Sequence, residues 1–308
     1  MCMAPSFRSG VVALLGAPNA GKSTLLNRLL KQKLAIVTPK AQTTRNRIMG
    51  VLHGEDFQII LLDTPGLHEA RRELNRRMMR AALDAMRDAD ALILLADAGR
   101  LHRDGRALES TLSLLREMHE EAGAPPMLLA LNKIDLLPKD ALAPLLANCA
   151  ARHPPHDWAG LFPISALQGQ GVEALLRAAA ELLPPGPQYY PEDMHTDVSE
   201  RFLAAEIVRE AVFLRARQEV PYSTAVEIEL FDEKEHPTRI AAAILVERAS
   251  QKGILIGKAG SMLGAIRQQA TREIARALDR PVRLELWVRV EKNWTERRDV
   301  LQRLGLAE

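Results

Sequence analysis

Nine residues near the start of the chain, GAPNAGKST (Gly16–Thr24), have the types and spacing needed to hold a chain of phosphates. Gly16 and Gly21 let the loop through Ala17, Pro18, Asn19 and Ala20 bring backbone N–H groups close to anionic oxygens. Lys22 can reach β- and γ-phosphates, and the Ser23 hydroxyl offers a ligand to Mg²⁺. Thr24 enters the amphipathic stretch STLLNRLL, a helix whose N-terminus adds positive potential. Three further motifs stand at the ends of apolar runs. In DTPG, Asp63 suits Mg²⁺ held through water, Thr64 and Pro65 shape the turn, and the Gly66 N–H can sense a γ-phosphate. In NKID, Asn132 ties its loop to the phosphate loop, Lys133 packs its stem on a base, and Ile134 leads to Asp135. That last carboxylate accepts both N1–H and the exocyclic N–H of guanine, a pair adenine does not offer. In SAL (Ser165, Ala166, Leu167) backbone N–H groups suit guanine O6. QTTR (Gln42–Arg45) lies in a polar segment where a switch belongs, with Thr43 and Thr44 as its candidates and Thr44 a Mg²⁺ ligand when the γ-phosphate is present.

Alone, NKID is a commonplace turn and QTTR a plain Thr-rich loop. In this order, and at strand ends, the set reads as a switch that binds GTP or GDP with Mg²⁺ and hydrolyses GTP. The residue after DTPG is Leu67, where many switch enzymes place a glutamine to orient water. Leucine has no hydrogen-bonding group, so that role must be filled otherwise. His68 beside it is expected to be a solvent-exposed switch residue and not a base.

Positioning these motifs requires an alternation of strands and helices. Apolar runs at Val11–Leu15, Phe57–Leu62, Ala91–Asp97, Met127–Asn132 and Leu161–Ile164 predict strands, and Arg47–Gly54 an antiparallel edge strand. Stretches such as GRALESTLSLLREMHEEA predict helices between them. Strands apolar on both faces imply a mainly parallel sheet covered on both sides, the doubly wound α/β class. Four prolines in LLPPGPQYYPED then forbid helix and central strand alike. Beyond them the order becomes α-β-β-α-α-β: a helix over Ser199–Ala216, strands over Thr224–Phe231 and Ile240–Glu247, and a short apolar turn into a glycine loop. A helix over Met262–Leu278 and a strand over Val282–Val290 follow. The expected boundaries are a flexible N-terminus at 1–8, the GTP-binding domain at 9–183, a linker at 184–196, a small α+β domain at 197–292 and a helical tail at 293–308.

A second glycine–lysine loop, GILIGKAG, lies in that small domain. It is not another nucleotide loop, because Lys258 is followed by Ala259 and Gly260 and the loop joins two helices. A G-x-x-G turn between helices suits the sugar–phosphate backbone of about four nucleotides. Gly257 and Gly260 allow close approach, Lys258 adds charge, and the apolar Ile256 lies beside them, with Ser261 and Arg267 following on the next helix. Trp294, Arg297 and Arg298 in the tail are further candidates, with Trp294 equally suited to stack on a base or to close a small core.

Composition sets only loose bounds. The chain of 308 residues carries a formal net charge of +2, too small to name a partner. From Arg248 to Arg303, however, 13 Lys/Arg stand against 6 Asp/Glu, which suits a polyanion or a solvated face. Two cysteines, Cys2 and Cys149, without metal-ligand spacing fit a reducing cytoplasm. The start has no signal-peptide core, and no apolar run approaches the ~18 residues of a membrane span.

The motifs GAPNAGKST, KAQTTR, DTPGLH, NKID and SAL resemble those of the translation-factor-related GTPases. With SERFLAAEIVREAVF, EVPYSTAVEIE, GILIGKAG and VRLELWVRV added, the chain from about Arg8 to Leu306 resembles the Era family of bacterial GTPases. The resemblance implies a P-loop domain followed by a type II K-homology (KH) domain that binds the 3′ end of small-subunit ribosomal RNA. It also implies action in rRNA processing and small-subunit assembly, and slow hydrolysis. A monomer is expected, with peripheral contact at the inner face of the cytoplasmic membrane left open. Related GTPases with PNxGKS use the asparagine that is Asn19 here to hold K⁺ against the phosphates, so K⁺ stimulation is expected. One departure is local: after DTPGLH the family often continues Lys-Pro, whereas this chain reads EARRELNRRMMR. Two competing classes remain: a GTP-dependent protein- or membrane-docking switch whose second domain ignores RNA, and a metabolic phosphotransferase, against which NKID and SAL argue.

Overall fold

A computed structural model of the chain describes residues 7–38, 40, 43–67, 73–109, 111–113, 115, 125–152, 158–217 and 219–306. His68, Glu69, Gln42 and Cys2 lie outside them. The chain divides into two compact units.

The first unit contains β1 (Arg8–Gly16), α1 (Lys22–Leu30), β2 (Ile48–His53), β3 (Phe57–Asp63) and, from Met78 onward, α2 (Glu73–Arg87). It continues with β4 (Ala91–Asp97), α3 (Ala98–Arg103), β5 (Met127–Asn132), α4 (Leu142–Arg152), β6 (Gly160–Pro163) and α5 (Val172–Leu182). The sheet runs β2-β3-β1-β4-β5-β6, with β2 antiparallel at one edge and the rest parallel. Val12–Leu15, Leu92, Leu94 and Leu129–Leu131 are buried to the last few per cent, as strands sandwiched between helix layers must be. Because the five parallel strands share a direction, β1, β3, β4 and β5 end together at Gly16, Asp63, Asp97 and Asn132. That carboxyl edge is where open α/β sheets bind ligands.

Several boundaries differ from expectation. β1 begins at Arg8, inside the stretch expected to be flexible. The helix α3 over Ala98–Arg103 was not expected, and the helix expected over 105–122 starts late. Residues 105–108 form a turn, where the Asp104 side chain accepts the Arg106 N–H at 3.1 Å. Helix is described from Glu109, and 116–122 lie outside the described residues. Residues 184–196 are strapped to the first unit. The fully buried Gln58 accepts the N–H groups of Tyr189 and Tyr190 at 2.8 and 3.0 Å and donates to the Tyr190 carbonyl at 2.8 Å. Farther along, the Val51 N–H donates to the His195 carbonyl at 2.8 Å.

The second unit holds α6 (Glu200–Arg215), β7 (Ala225–Asp232), β8 (Thr238–Val246), α7 (Ala249–Ile256), α8 (Ser261–Ala277), β9 (Val282–Val290) and α9 (Arg298–Arg303). Its sheet is β7-β8-β9, with the first pair antiparallel and the second parallel. The run before the glycine loop is the helix α7 and not a turn, because Gln251 caps it by accepting the N–H groups of Glu247 and Arg248. Ile207, Ala211, Ile240, Ala242, Ile244, Ile266 and Ile274 form the core between helices and sheet.

Residues 32–43 and 73–77, expected in the GTP-binding domain, group with this second unit. The buried Glu210 carboxylate on α6 pairs with the Lys33 ammonium at 2.5 Å and accepts the Val37 N–H at 3.0 Å. Lys40 donates to the carbonyls of Phe213 and Ala216 at the end of α6, where the helix leaves acceptors unsatisfied. Arg209 donates to the Thr43 carbonyl and to Glu206. Among the described residues no helix is long and apolar enough to cross a membrane.

Candidate functional site

The phosphate loop connects β1 to α1 through backbone positions that exclude side chains. Gly16 has φ +140°, and a Cβ there would lie 2.3 Å from the Leu95 carbonyl oxygen. At Gly21 (φ +103°) it would lie 2.1 Å from Asn132 Nδ2. Lys22, 5% exposed, bends back to donate to the carbonyls of Gly16 and Ala17 at 3.0 and 3.2 Å. Its ammonium is thereby held inside the loop, with Ala17, Pro18, Asn19 and Ala20 around it and Thr24 in the first turn of α1.

Three oxygens converge beside it. Ser23 Oγ donates to Asp63 Oδ2 at 2.6 Å and lies 2.8 Å from Thr44 Oγ1, which is itself 3.4 Å from Asp63 Oδ2. The other carboxylate oxygen of Asp63 is buried and has no hydrogen-bond partner among the described residues. Hard oxygens with one orphaned charge-bearing acceptor fit Mg²⁺. Thr43 points elsewhere, its hydroxyl donating to the Lys40 carbonyl at 2.9 Å and meeting Thr38 Oγ1 at 3.0 Å. Thr64 donates to the Leu14 carbonyl at 2.6 Å. A Cβ on Gly66 would come within 2.8 Å of the Pro18 backbone, so the turn Asp63–Pro65 closes on the phosphate loop only with glycine next. Leu67 is buried in the apolar core and its N–H donates to the Gly16 carbonyl at 3.1 Å. Leucine at this position therefore packs, which explains why no polar side chain is placed there.

Burial pushes the Asp63 carboxyl up to about 6 despite the Lys22 charge and the hydroxyls of Ser23 and Thr44. Burial likewise pushes Lys22 down to about 8 against the pull of Asp63. The raised acid favours the protonated empty protein, a stabilisation complete below its ordinary 3.8 and lost as pH rises through about 6. Mg²⁺ needs the carboxylate, so below about pH 6 each bound ion must displace a proton. Mg²⁺-dependent GDP affinity is therefore expected to fall about tenfold per pH unit below 6 and to level off above it. Titration with a fluorescent GDP between pH 5 and 7.5 measures this, and a flat profile would refute it.

The base-facing loops are knitted to the phosphate loop. Asn132, 2% exposed, donates to the Ala20 carbonyl at 2.8 Å and accepts the N–H groups of Lys133 and Ala166 at 2.8 and 2.9 Å. Lys133, in left-handed backbone (φ 68°), donates from its ammonium to Asp97 at 2.7 Å. Ile134 and Asp135 form a short 3₁₀ turn, and Asp135 makes no ion pair among the described residues. In the SAL loop, Ser165 donates its N–H to Gln170 at 2.9 Å and Ala166 to Asn132, so only the Leu167 N–H lacks an acceptor among the described residues. The expectation that several N–H groups face guanine thus narrows to one. Two residues escaped the sequence reading. Asp97 was signalled by its place at the end of β4, and Arg28 donates from α1 to the SAL loop.

In the second unit, α7 ends at Gly257 (φ +73°), Ala259 is left-handed (φ 50°), and Gly260 (φ +78°) precedes Ser261 at the start of α8. Lys258, Ala259 and Ser261 are exposed and Ile256 is half-buried. Lys258 and the exposed Arg267 make no ion pair among the described residues, whereas Arg276, Arg280, Arg289 and Arg303 are paired with acids. The uncommitted charge in this region thus includes the loop. Two tail candidates are corrected. Trp294 is fully buried and its indole N–H donates to the Ser223 carbonyl at 2.9 Å, so it closes a core and stacks on nothing outside. Arg297 is bound to both Asp299 and Glu291, while Arg298 is exposed.

Comparison with known proteins matches these two sites separately and together. Residues 11–133 match the family described as 50S ribosome-binding GTPase, and residues 219–295 match the KH domain family. The chain is 46% identical over 302 residues to the GTPase Era of Geobacter metallireducens, covering 97% of this chain and 98% of that one. It is 43% identical to the GTPase Era of Lacticaseibacillus paracasei, covering 96% of each. A crystal structure of Era with MgGDPNP and nucleotides 1506–1542 of 16S ribosomal RNA superposes with a TM-score of 0.90 at 37% identity, covering 98% of this chain and all of that one. A single-residue variant of Aquifex aeolicus Era bound to GDP·AlF₄⁻ gives 0.88 at 38% identity, again over 98% of this chain and all of that one. With both halves, their order and nearly the whole length accounted for, the chain belongs to the Era family of GTPases.

Proposed function

We propose that this GTPase binds the 3′ end of small-subunit ribosomal RNA through the Gly257–Gly260 loop and acts in rRNA processing and assembly of that subunit. The observation that carries the reading is the loop itself: two glycines in left-handed backbone between helices, next to the exposed, ion-pair-free Lys258. The Era structure with nucleotides 1506–1542 of 16S rRNA supports it at 37% identity. Binding of that fragment, compared with a scrambled strand across a salt series, tests it. A grip on about four nucleotides should give log K falling with log salt at a slope near −2 to −3. A slope near zero, or equal binding of both strands, would favour docking on a protein or membrane surface. A monomer acting in the cytoplasm, with any membrane contact peripheral, completes the reading.

Potassium belongs to the same proposal. Asn19 holds φ 64° within the phosphate loop, left-handed backbone that asparagine adopts more readily than most residues. A K⁺ ion held there would supply positive charge where hydrolysis builds negative charge. Phosphate release is expected to be roughly tenfold or more faster in KCl than in NaCl, and Asn19→Ala should remove the difference. Equal wild-type rates in the two salts would take Asn19 out of the mechanism.

A further inference from the structure

We infer that Arg28 is a positioning residue for guanine selectivity, acting on the 6-position of the base through one peptide plane. Arg28 sits in the last turn of α1, the helix that begins at the phosphate-binding Lys22. Its Nε donates to the Ala166 carbonyl at 3.2 Å, and its terminal nitrogen donates to the Leu167 carbonyl. The Ala166 carbonyl and the Leu167 N–H belong to the same planar, trans peptide, so they point in opposite directions. Drawing that oxygen toward α1 turns the Leu167 N–H away from α1. This is the one N–H of the SAL motif with no acceptor among the described residues. The second bond fixes the next peptide as well, so both planes flanking Leu167 are held.

The turn is built to receive the guanidinium. It closes through Ser165 N–H to Gln170 O at 2.9 Å, Gly169 N–H to Ser165 O at 2.7 Å and Gln168 N–H to Ser165 Oγ at 3.1 Å. Gly169 has φ +86°, and a Cβ there would stand 3.8 Å from the Arg28 guanidinium carbon, so the arginine lies in contact with the turn. A cation on the carbonyl side also polarises the peptide and strengthens its N–H as a donor. The recognised chemistry is the 6-oxo group of a purine. Adenine's 6-amino group donates and cannot accept this bond, whereas Asp135 reads positions 1 and 2.

The test measures Kd for GDP, IDP and 2-aminopurine riboside 5′-diphosphate, which lacks the 6-oxo group, in wild type, Arg28→Ala and Arg28→Lys. Arg28→Ala should weaken GDP and IDP about five- to tenfold, leave the 2-aminopurine nucleotide unchanged, and so collapse their ratio. Arg28→Lys, with one donor group and no fork, should fall between. Equal weakening of all three ligands would mean a merely structural role and overturn the inference, as would no change. The inference rests on the guanine reading of the pocket. If wild type itself fails to prefer GDP over the 2-aminopurine nucleotide, that reading fails; if wild type prefers it and Arg28→Ala keeps the ratio, only the role of Arg28 fails.

Discussion

Replacing Asp135 with asparagine is expected to weaken GTP binding by roughly 10²–10⁴-fold and to turn the preference toward xanthine nucleotides. On the proposed guanine reading of NKID, this carboxylate would accept two N–H groups of guanine at once, each a charge-assisted bond worth about 1.5–3 kcal/mol. An asparagine offers one acceptor and one donor, so the second guanine N–H faces an N–H. Xanthine presents a carbonyl in place of that amino group and matches the asparagine. The scaffold should survive, since Asp135 lies on a short 3₁₀ turn and makes no ion pair among the described residues. Competition of GTP against XTP, with Tm as a control, reads the outcome. Retained guanine preference would show that another residue reads the base.

The second large effect is expected at Gly260. Substitution by aspartate should lower RNA affinity roughly tenfold to a hundredfold and leave basal GTP hydrolysis unchanged. A Cβ at Gly260 meets nothing within 4 Å, so the variant has room, and Asp tolerates its φ of +78° better than most residues. What it adds is a carboxylate facing the phosphates, a repulsion of about 1–3 kcal/mol near a protein surface. Gly257 is the less clean site. A Cβ there would sit 2.7 Å from Met262 Cβ and 2.9 Å from its backbone nitrogen, so a loss of binding could come from a broken loop. RNA binding by Gly260→Asp equal to wild type would move the nucleic-acid surface elsewhere.

The strand framework was legible because buried parallel strands must be continuous apolar runs. Ala91–Asp97, Met127–Asn132 and Val282–Val290 have the bounds their composition implies. The helix Ala98–Arg103 was not legible, because six residues show too little apolar period. The start of the next helix was misplaced because the side-chain bond from Asp104 to Arg106 holds 105–108 in a turn. Motif residues announce themselves through local spacing, but their partners do not. Arg28 is separated from the loop it grips by more than a hundred residues, and nothing near it in sequence points to Ala166. The same holds for Glu210, whose bonds to Lys33 and Val37 group an early segment with a late helix. Trp294 was undecidable because an indole suits a core and a base equally. Only its bond to Ser223 and its complete burial decide.

The strap anchored on Gln58 changes what the proline-rich stretch can do. A free proline-rich chain as long as 184–196 would extend over roughly 40 Å. Here that slack is taken up along the first unit before the second begins at Val198. Little unattached chain is left ahead of Val198. Lengthening the proline stretch would loosen the surface it lies on before it added free chain ahead of Val198.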